Sequence, residues 1–150
     1  MKNFFLFVFA ITIISCGGDD DSNGTNEPQT FIEKYDGIVW IGDDSTADDS
    51  YFIAVYNQPE KLYSWETDLD GEYCFPLTFG QPDEFGNVVT IVENTSNNLI
   101  LTVTTSAGEE NNIRLTASNE GSNLTVEWIY ETGPNDTETY SRSSSANPCL

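Results

Sequence analysis

Residues 123–130 read NLTVEWIY, and this stretch decides the fold class. Every second side chain from Leu124 to Tyr130 is apolar, and Thr125, Glu127 and Ile129 stand between them. Successive side chains of a β-strand point to opposite faces, so the pattern predicts a strand with one apolar face. The same period occurs in LILTVT at 99–104 and in YCFPLTF at 73–79.

Less regular apolar runs complete a set of about nine candidate strands. These runs lie at 37–41, 50–57, 61–66, 87–93, 112–117 and 137–142. The connections are short and rich in Gly, Asn, Asp and Pro, which is typical of turns between antiparallel neighbours. Strands that recur every 8–12 residues or so indicate a sandwich or a barrel.

Two observations favour the barrel. An immunoglobulin-type sandwich places a tryptophan after its first core cysteine, whereas Trp65 precedes Cys74 here. No connection after Gly71 is long enough for a Greek-key crossover. We therefore predict an all-β, antiparallel up-and-down meander of about eight strands that closes into a barrel, with a β-sandwich as the alternative. Pro76, within a strand-like run, predicts a bulge or a gap in the ladder.

A short helix is predicted before the first strand. Thr30 and Glu33 have the spacing of a capping box, and Asp36-Gly37 supplies a stop, so the helix covers residues 31–35.

The first residues indicate export. Lys2, the apolar run 4–14 and Ser15 have the form of a secretory signal peptide, and the cysteine that follows resembles the lipidation site of bacterial lipoproteins. An apolar run of this length is well short of the roughly 20 residues that span a bilayer. We predict a signal peptide at 1–15, a lipid on Cys16 and anchoring at the outer membrane, on its surface-exposed or periplasmic face. The alternative is an ordinary cleaved signal with an incidental cysteine.

The rest of the chain is one acidic domain on a tether. Residues 16–29 are polar and predict an acidic flexible tether, and residues 30–150 are enough for a single core. Removal of residues 1–15 takes away one of the 5 basic residues and none of the 25 acids, which leaves a net charge of −21. This charge excludes nucleic acid as a partner and favours a monomer that contacts the membrane only through its lipid.

Two cysteines remain once Cys16 is lipidated. Cys74 and Cys149 form an even pair in an oxidising compartment, which predicts a disulfide that pins the C-terminal tail to a strand. Two free thiols are the alternative.

A family resemblance follows from the helix, from YDGIVW at 35–40 and from the meander with its mid-chain and C-terminal cysteines. Over about residues 31–149 the chain resembles the lipocalin-like domains of bacterial lipoproteins. In that family a Gly-x-Trp pair closes the bottom of the barrel; Gly37 and Trp40 are the matching pair, with one residue more between them. The resemblance implies that the Trp40 ring plugs the closed end and that Arg142 packs on it.

Catalysis finds little support, because the chain has no histidine and no Gly-x-Ser-x-Gly motif. We predict no enzyme activity and no cofactor. Acidic loops at Glu66–Gly71 and at Asp43–Asp49 offer oxygen atoms for calcium, but solvated turns explain them better, and we assign no metal site.

Aromatic residues are the best indication of binding. The candidate cavity or core rings are Trp40, Trp65, Tyr73, Phe75 and Trp128. They either line a cup for a small apolar ligand or pack as core. A protein- or glycan-binding module that works through its rim is the alternative function.

Overall fold

The period-two segments of the sequence all become strands. The computed structural model describes residues 29–150, which form a nine-stranded antiparallel sheet, curled into a half-barrel, and one short helix. The predicted signal peptide, Cys16 and nearly all of the tether lie outside these residues.

Each of the nine strands overlaps one of the candidate runs. The strands are β1 (Val39–Gly42), β2 (Asp49–Asn57), β3 (Glu60–Asp68), β4 (Gly71–Thr78), β5 (Val88–Asn94), β6 (Asn98–Thr104), β7 (Glu110–Ser118), β8 (Asn123–Ile129) and β9 (Asp136–Ser143). A 3₁₀ turn at Asn119–Gly121 connects β7 to β8.

The sheet order explains why this barrel stays open. The strands follow the order β4-β3-β2-β1-β9-β8-β7-β6-β5, and every neighbouring pair is antiparallel. Direction alternates along an odd number of strands, so the two edge strands β4 and β5 run the same way. They cannot pair as antiparallel neighbours, and a parallel pair needs a longer crossover. A closed barrel of about eight strands is therefore not confirmed, and all nine strands belong to one sheet, unlike a sandwich.

The opening between β4 and β5 is bridged at one place only among residues 29–150. Gly80 N donates to Val89 O over 2.7 Å, and Pro82 forms an isolated antiparallel bridge with Val88. The bulge or gap predicted at Pro76 is wrong, because the β3–β4 ladder pairs Tyr63 with Pro76 without a register shift. Proline is tolerated there because β4 is an edge strand.

The predicted capping box is confirmed in helix α1 (Phe31–Lys34). Glu33 N donates to Thr30 Oγ1 at 3.3 Å, and Thr30 N donates to Glu33 Oε2 at 2.8 Å. The Thr30 N–H and the Thr30 hydroxyl, which also donates to Glu33 Oε2 at 3.0 Å, hold the pKa of Glu33 below its usual value. The helix ends at Lys34, one residue earlier than predicted.

The inner face of the sheet carries the main core. Side chains from α1 and from every strand except β4 form one buried cluster, on which Leu77 of β4 also packs. Its largest fully buried members are Trp40, Tyr35, Phe31, Ile32, Leu99, Leu101, Leu115, Leu124, Val55 and Val126. The helix and these rings fill the end of the half-barrel where β1 begins.

A second buried cluster lies on the outer face of β1, β2 and β3. It consists of Val39, Phe52, Ala54, Tyr63 and Trp65, with Ile41, Tyr56 and Cys149 packed against it. The predicted disulfide is confirmed, because Cys74 of β4 is bonded to Cys149, with 5.8 Å between the Cα atoms. The bridge brings the C-terminal tail over this part of the sheet.

Candidate ligand-binding cleft

Trp40 lies at the filled end of the half-barrel and is fully buried. Its indole N–H donates to the carbonyl of Gly121 at 2.8 Å, and its ring packs near Tyr35, with 5.9 Å between centroids. Gly121 has φ +81°, and an added Cβ would lie 2.9 Å from the Tyr35 ring. The backbone therefore approaches the Trp40 cluster as closely as only glycine allows.

Arg142 is the cross-strand partner of Trp40 in the β1–β9 ladder, but its side chain is exposed. The cation–π contacts of the described residues are made by Lys34 on Tyr35 and by Lys61 on Tyr63. The packing of Arg142 on Trp40 stays a prediction from the resemblance.

Trp65 lies on the opposite face of the sheet from Trp40. It is 2 % exposed and stacks on Phe52, with 5.0 Å between ring centroids and 5° between the planes. Its cross-strand neighbour in β4 is Cys74, so the disulfide covers it. Trp65 is therefore a core residue of the outer cluster and does not line an open end of the half-barrel.

The other three candidate rings share the inner face of the sheet. Trp128 is half-buried against the main core. Tyr73 and Phe75 are on the edge strand β4, and they remain 43 % and 45 % exposed. The structure thus brings Tyr73 and Phe75 together at the opening of the half-barrel and separates them from Trp65.

A cleft of about 330 Å³ lies beside the edge strand. One wall is β4, and the other is formed by residues 83–85 of the β4–β5 connection. The lining residues are Cys74, Phe75, Pro76, Leu77, Asp83, Glu84 and Phe85. Phe85 is 68 % exposed, and it is not among the rings predicted from the sequence because it stands next to Gly86 in a predicted turn. A large aromatic side chain in a predicted turn is the sequence feature that would have indicated it.

Asp83 fixes the loop that carries Phe85. Its Oδ1 accepts hydrogen bonds from the backbone N–H groups of Phe85 and Asn87, both at 2.8 Å, and its Oδ2 accepts from Asn87 Nδ2 at 3.0 Å. Desolvation raises the pKa of Asp83, but the hydrogen bonds from Asn87, Phe85 and Gly86 outweigh it and hold the pKa below the usual 3.8. The ionised carboxylate is therefore part of the loop structure.

We expect the loop to loosen in acid. A carboxyl whose pKa is lowered by folding contributes stability above its unfolded pKa, and this contribution is lost as the pH falls through the folded pKa. An NMR titration should place the pKa of Asp83 below 3.8, with the Phe85 and Asn87 amide signals moving at the same pH. Asp83→Asn should abolish that shared transition, while Asp70→Asn in the β3–β4 turn should leave it; a normal Asp83 pKa would contradict the assignment.

A second cleft, of about 280 Å³, is lined by Asp44, Tyr51, Glu138 and Tyr140. Burial raises the pKa of Tyr140, and its 2.6 Å hydrogen bond to Glu138 and the charge of Asp44 add to this. The hydrogen bond from Tyr51 to Asp49, at 2.9 Å, likewise raises the pKa of Tyr51. Both phenols are therefore neutral at neutral pH. The carboxylates of Asp44 and Glu138 make the cleft negatively charged and unsuited to anions.

The acidic loops are internally bonded turns. Asp68 Oδ1 accepts from the backbone N–H groups of Asp70 and Gly71, at 2.7 and 3.0 Å. Thr46 Oγ1 accepts from the N–H groups of Asp48 and Asp49, at 3.3 and 3.1 Å. Within residues 29–150 no group of three or more Asp, Glu or Cys side chains is placed to hold a metal ion.

Comparison with known proteins gives no match among family models, curated proteins or solved structures. The lipocalin-like assignment therefore stays a prediction from the residues quoted above. In the part of the chain described, no helix is long and apolar enough to cross a membrane.

Proposed function

We propose that this chain is a lipid-anchored binding protein of the cell envelope, with a lipocalin-like domain whose ligand docks in the cleft beside β4. The observation that carries the proposal is the exposure of Phe75 and Phe85, at 45 % and 68 %, on a cleft of about 330 Å³. Exposed apolar rings that converge on a concave site are typical of ligand recognition.

The dense packing at the Trp40 end of the half-barrel supports a ligand site at the rim. Trp40 and the α1 residues occupy the end of the half-barrel where a lipocalin-type ligand would meet the barrel floor. The rings that remain accessible are at the rim, beside the edge strand. A small apolar ligand would cover Phe75 and Phe85, and a protein or glycan partner at the rim would use the same two rings.

The anchor is tested by substitution at the proposed lipidation site. Cys16→Ser should move the protein out of the membrane fraction or leave the signal peptide uncleaved, because the acyl chains have no other attachment point. Detergent-phase partitioning and an N-terminal mass measurement check this. Cys74→Ser should stay in the membrane fraction, and unchanged partitioning of the Cys16 variant would refute the anchor.

The cleft is tested with Nile red, a neutral apolar dye, on a Cys16→Ser protein produced without residues 1–15. Phe85→Ala should weaken dye binding about tenfold or more, because a phenylalanine side chain contributes roughly 1.5–3 kcal/mol when it is covered. Leu69→Ala is the matched control, since Leu69 is 84 % exposed and lies in the β3–β4 turn. Equal dye affinity of the two variants would place the ligand elsewhere.

A further inference from the structure

The two walls of the cleft beside β4 differ in chemistry. The wall formed by the edge strand is apolar and consists of Cys74, Phe75, Pro76 and Leu77. The facing wall carries two acids and one aromatic ring, from Asp83, Glu84 and Phe85. A molecule held between the walls therefore meets apolar groups on one side, and carboxylates beside an aromatic ring on the other.

The two carboxylates of the cleft differ in their hydrogen bonding. Both oxygen atoms of Asp83 accept hydrogen bonds within the loop, from the N–H groups of Phe85 and Asn87 and from the Asn87 amide. The side chain of Glu84 is exposed and makes neither a hydrogen bond nor an ion pair within residues 29–150. Glu84 is therefore the carboxylate that a ligand can pair with.

No basic side chain of the described part of the chain lines this cleft. The basic residues of that part, all in other positions, are Lys34, Lys61, Arg114 and Arg142. The rest of the surface adds to the negative charge, because the chain has 25 acids against 5 bases. An anionic amphiphile such as a fatty acid would be repelled from this site, and a cation would be attracted to it.

The size of the cleft limits its ligand. A volume of about 330 Å³ is at the lower end of the roughly 300–1,000 Å³ that small-molecule sites usually have. It suits one ring with a short chain. A cation that contacts Glu84 can also lie against the Phe85 ring, since both side chains line the same wall and aromatic faces attract cations.

We infer that the ligand of this cleft is a small amphiphilic cation, an amine or a quaternary ammonium compound with an apolar body. This rests on the proposed binding role of the cleft and names the chemical class of its ligand. The apolar body packs between Phe75 and Phe85, and the cationic group pairs with Glu84.

The test compares three probes that share a phenyl ring and a chain of four methylene groups and differ in the head group. They are 4-phenylbutylammonium, 4-phenylbutanol and 5-phenylpentanoate, which are positive, neutral and negative at pH 7. Isothermal titration calorimetry measures their binding to the full-length protein, purified from its envelope into nanodiscs of neutral phosphatidylcholine. Empty nanodiscs give the background.

The ammonium probe should bind about fivefold more tightly than the alcohol, and the pentanoate should bind least. Glu84→Gln should weaken binding of the ammonium probe about fivefold, the usual size of an exposed ion pair, and leave the affinity for the alcohol unchanged. Glu131→Gln makes the same charge change at an exposed position of the β8–β9 connection and should change neither affinity. Equal binding of the ammonium probe and the alcohol, or equal effects of the two substitutions, would overturn the inference.

The dye and the charged probes separate the two proposals. If Nile red requires Phe85 but the ammonium probe binds no more tightly than the alcohol, the cleft stands and the cationic class of ligand fails. If Phe85→Ala changes the affinity for neither Nile red nor the ammonium probe, both proposals fail.

Discussion

Replacement of Trp40 by alanine should lower the free energy of unfolding by about 3–5 kcal/mol, the usual cost of deleting a large buried ring. Trp40 is fully buried, and its indole N–H donates a hydrogen bond to the carbonyl of Gly121 at 2.8 Å. The substitution creates a cavity and leaves that carbonyl without its partner. A thermal melt should show a drop of about 10 °C or more.

Two further variants separate the parts of this effect. Trp40→Phe keeps most of the ring and loses the hydrogen bond, so it should cost about 1–3 kcal/mol. Trp128→Ala removes a half-buried ring from the same face and should cost less than Trp40→Ala. A Trp40→Ala protein that melts within a few degrees of the parent would refute the plug assignment.

Removal of the disulfide should have an effect of similar size. Cys74 and Cys149 are 75 residues apart, and in the loop-entropy model a bridge over such a loop contributes about 4 kcal/mol. The tail would also lose its hold on the outer cluster around Trp65. The double variant Cys74→Ser with Cys149→Ser should therefore unfold at a clearly lower urea concentration than the parent.

The parent protein in excess dithiothreitol is the natural control for the bridge. It should unfold together with the double variant, whereas the double variant itself should not respond to the reductant. A double variant as stable as the oxidised parent would show that the bridge contributes nothing to stability.

The sequence predicted the strands well because most of them are buried on one face. Alternation in 99–104 and 124–130 is visible without any knowledge of neighbours. The run 50–57 is less regular for a physical reason: Phe52, Ile53, Ala54 and Val55 are all buried, since β2 contributes to both clusters. A strand that is covered on both faces loses its alternation.

The alternation of apolar residues does not predict which face of the sheet becomes the inner one. Alternation shows that Trp40 and Val39 point in opposite directions, but it does not show which face becomes the inner one. Trp65 was grouped with Tyr73 and Phe75 because all are aromatic, yet the register places Trp65 opposite Cys74 on the outer face. Its neighbours in the outer cluster and the disulfide-held tail together make that outer position a buried one.

Whether the barrel can close depends on the number of strands. The candidate runs numbered about nine, while a closed antiparallel meander needs an even number of strands. The cleft could not be predicted from the sequence for the same reason. Phe85 lies beside β4 because β4 and β5 are not paired with each other. Such an arrangement depends on the pairing of the whole sheet, and no short stretch of the sequence indicates it.

The ladder between β1 and β9 has a consequence for how the molecule is assembled. It pairs Val39 with Ser143, so the centre of the sheet is made from the two ends of the domain. Strands β1–β4 and strands β5–β9 can each form as a series of hairpins. Pairing β1 with β9 then closes a loop that contains nearly all of the domain, and the conformational entropy lost in closing this loop is not reduced by any short turn. The two halves should thus form early and meet last, and the core around Trp40 should become protected only when β9 has paired with β1.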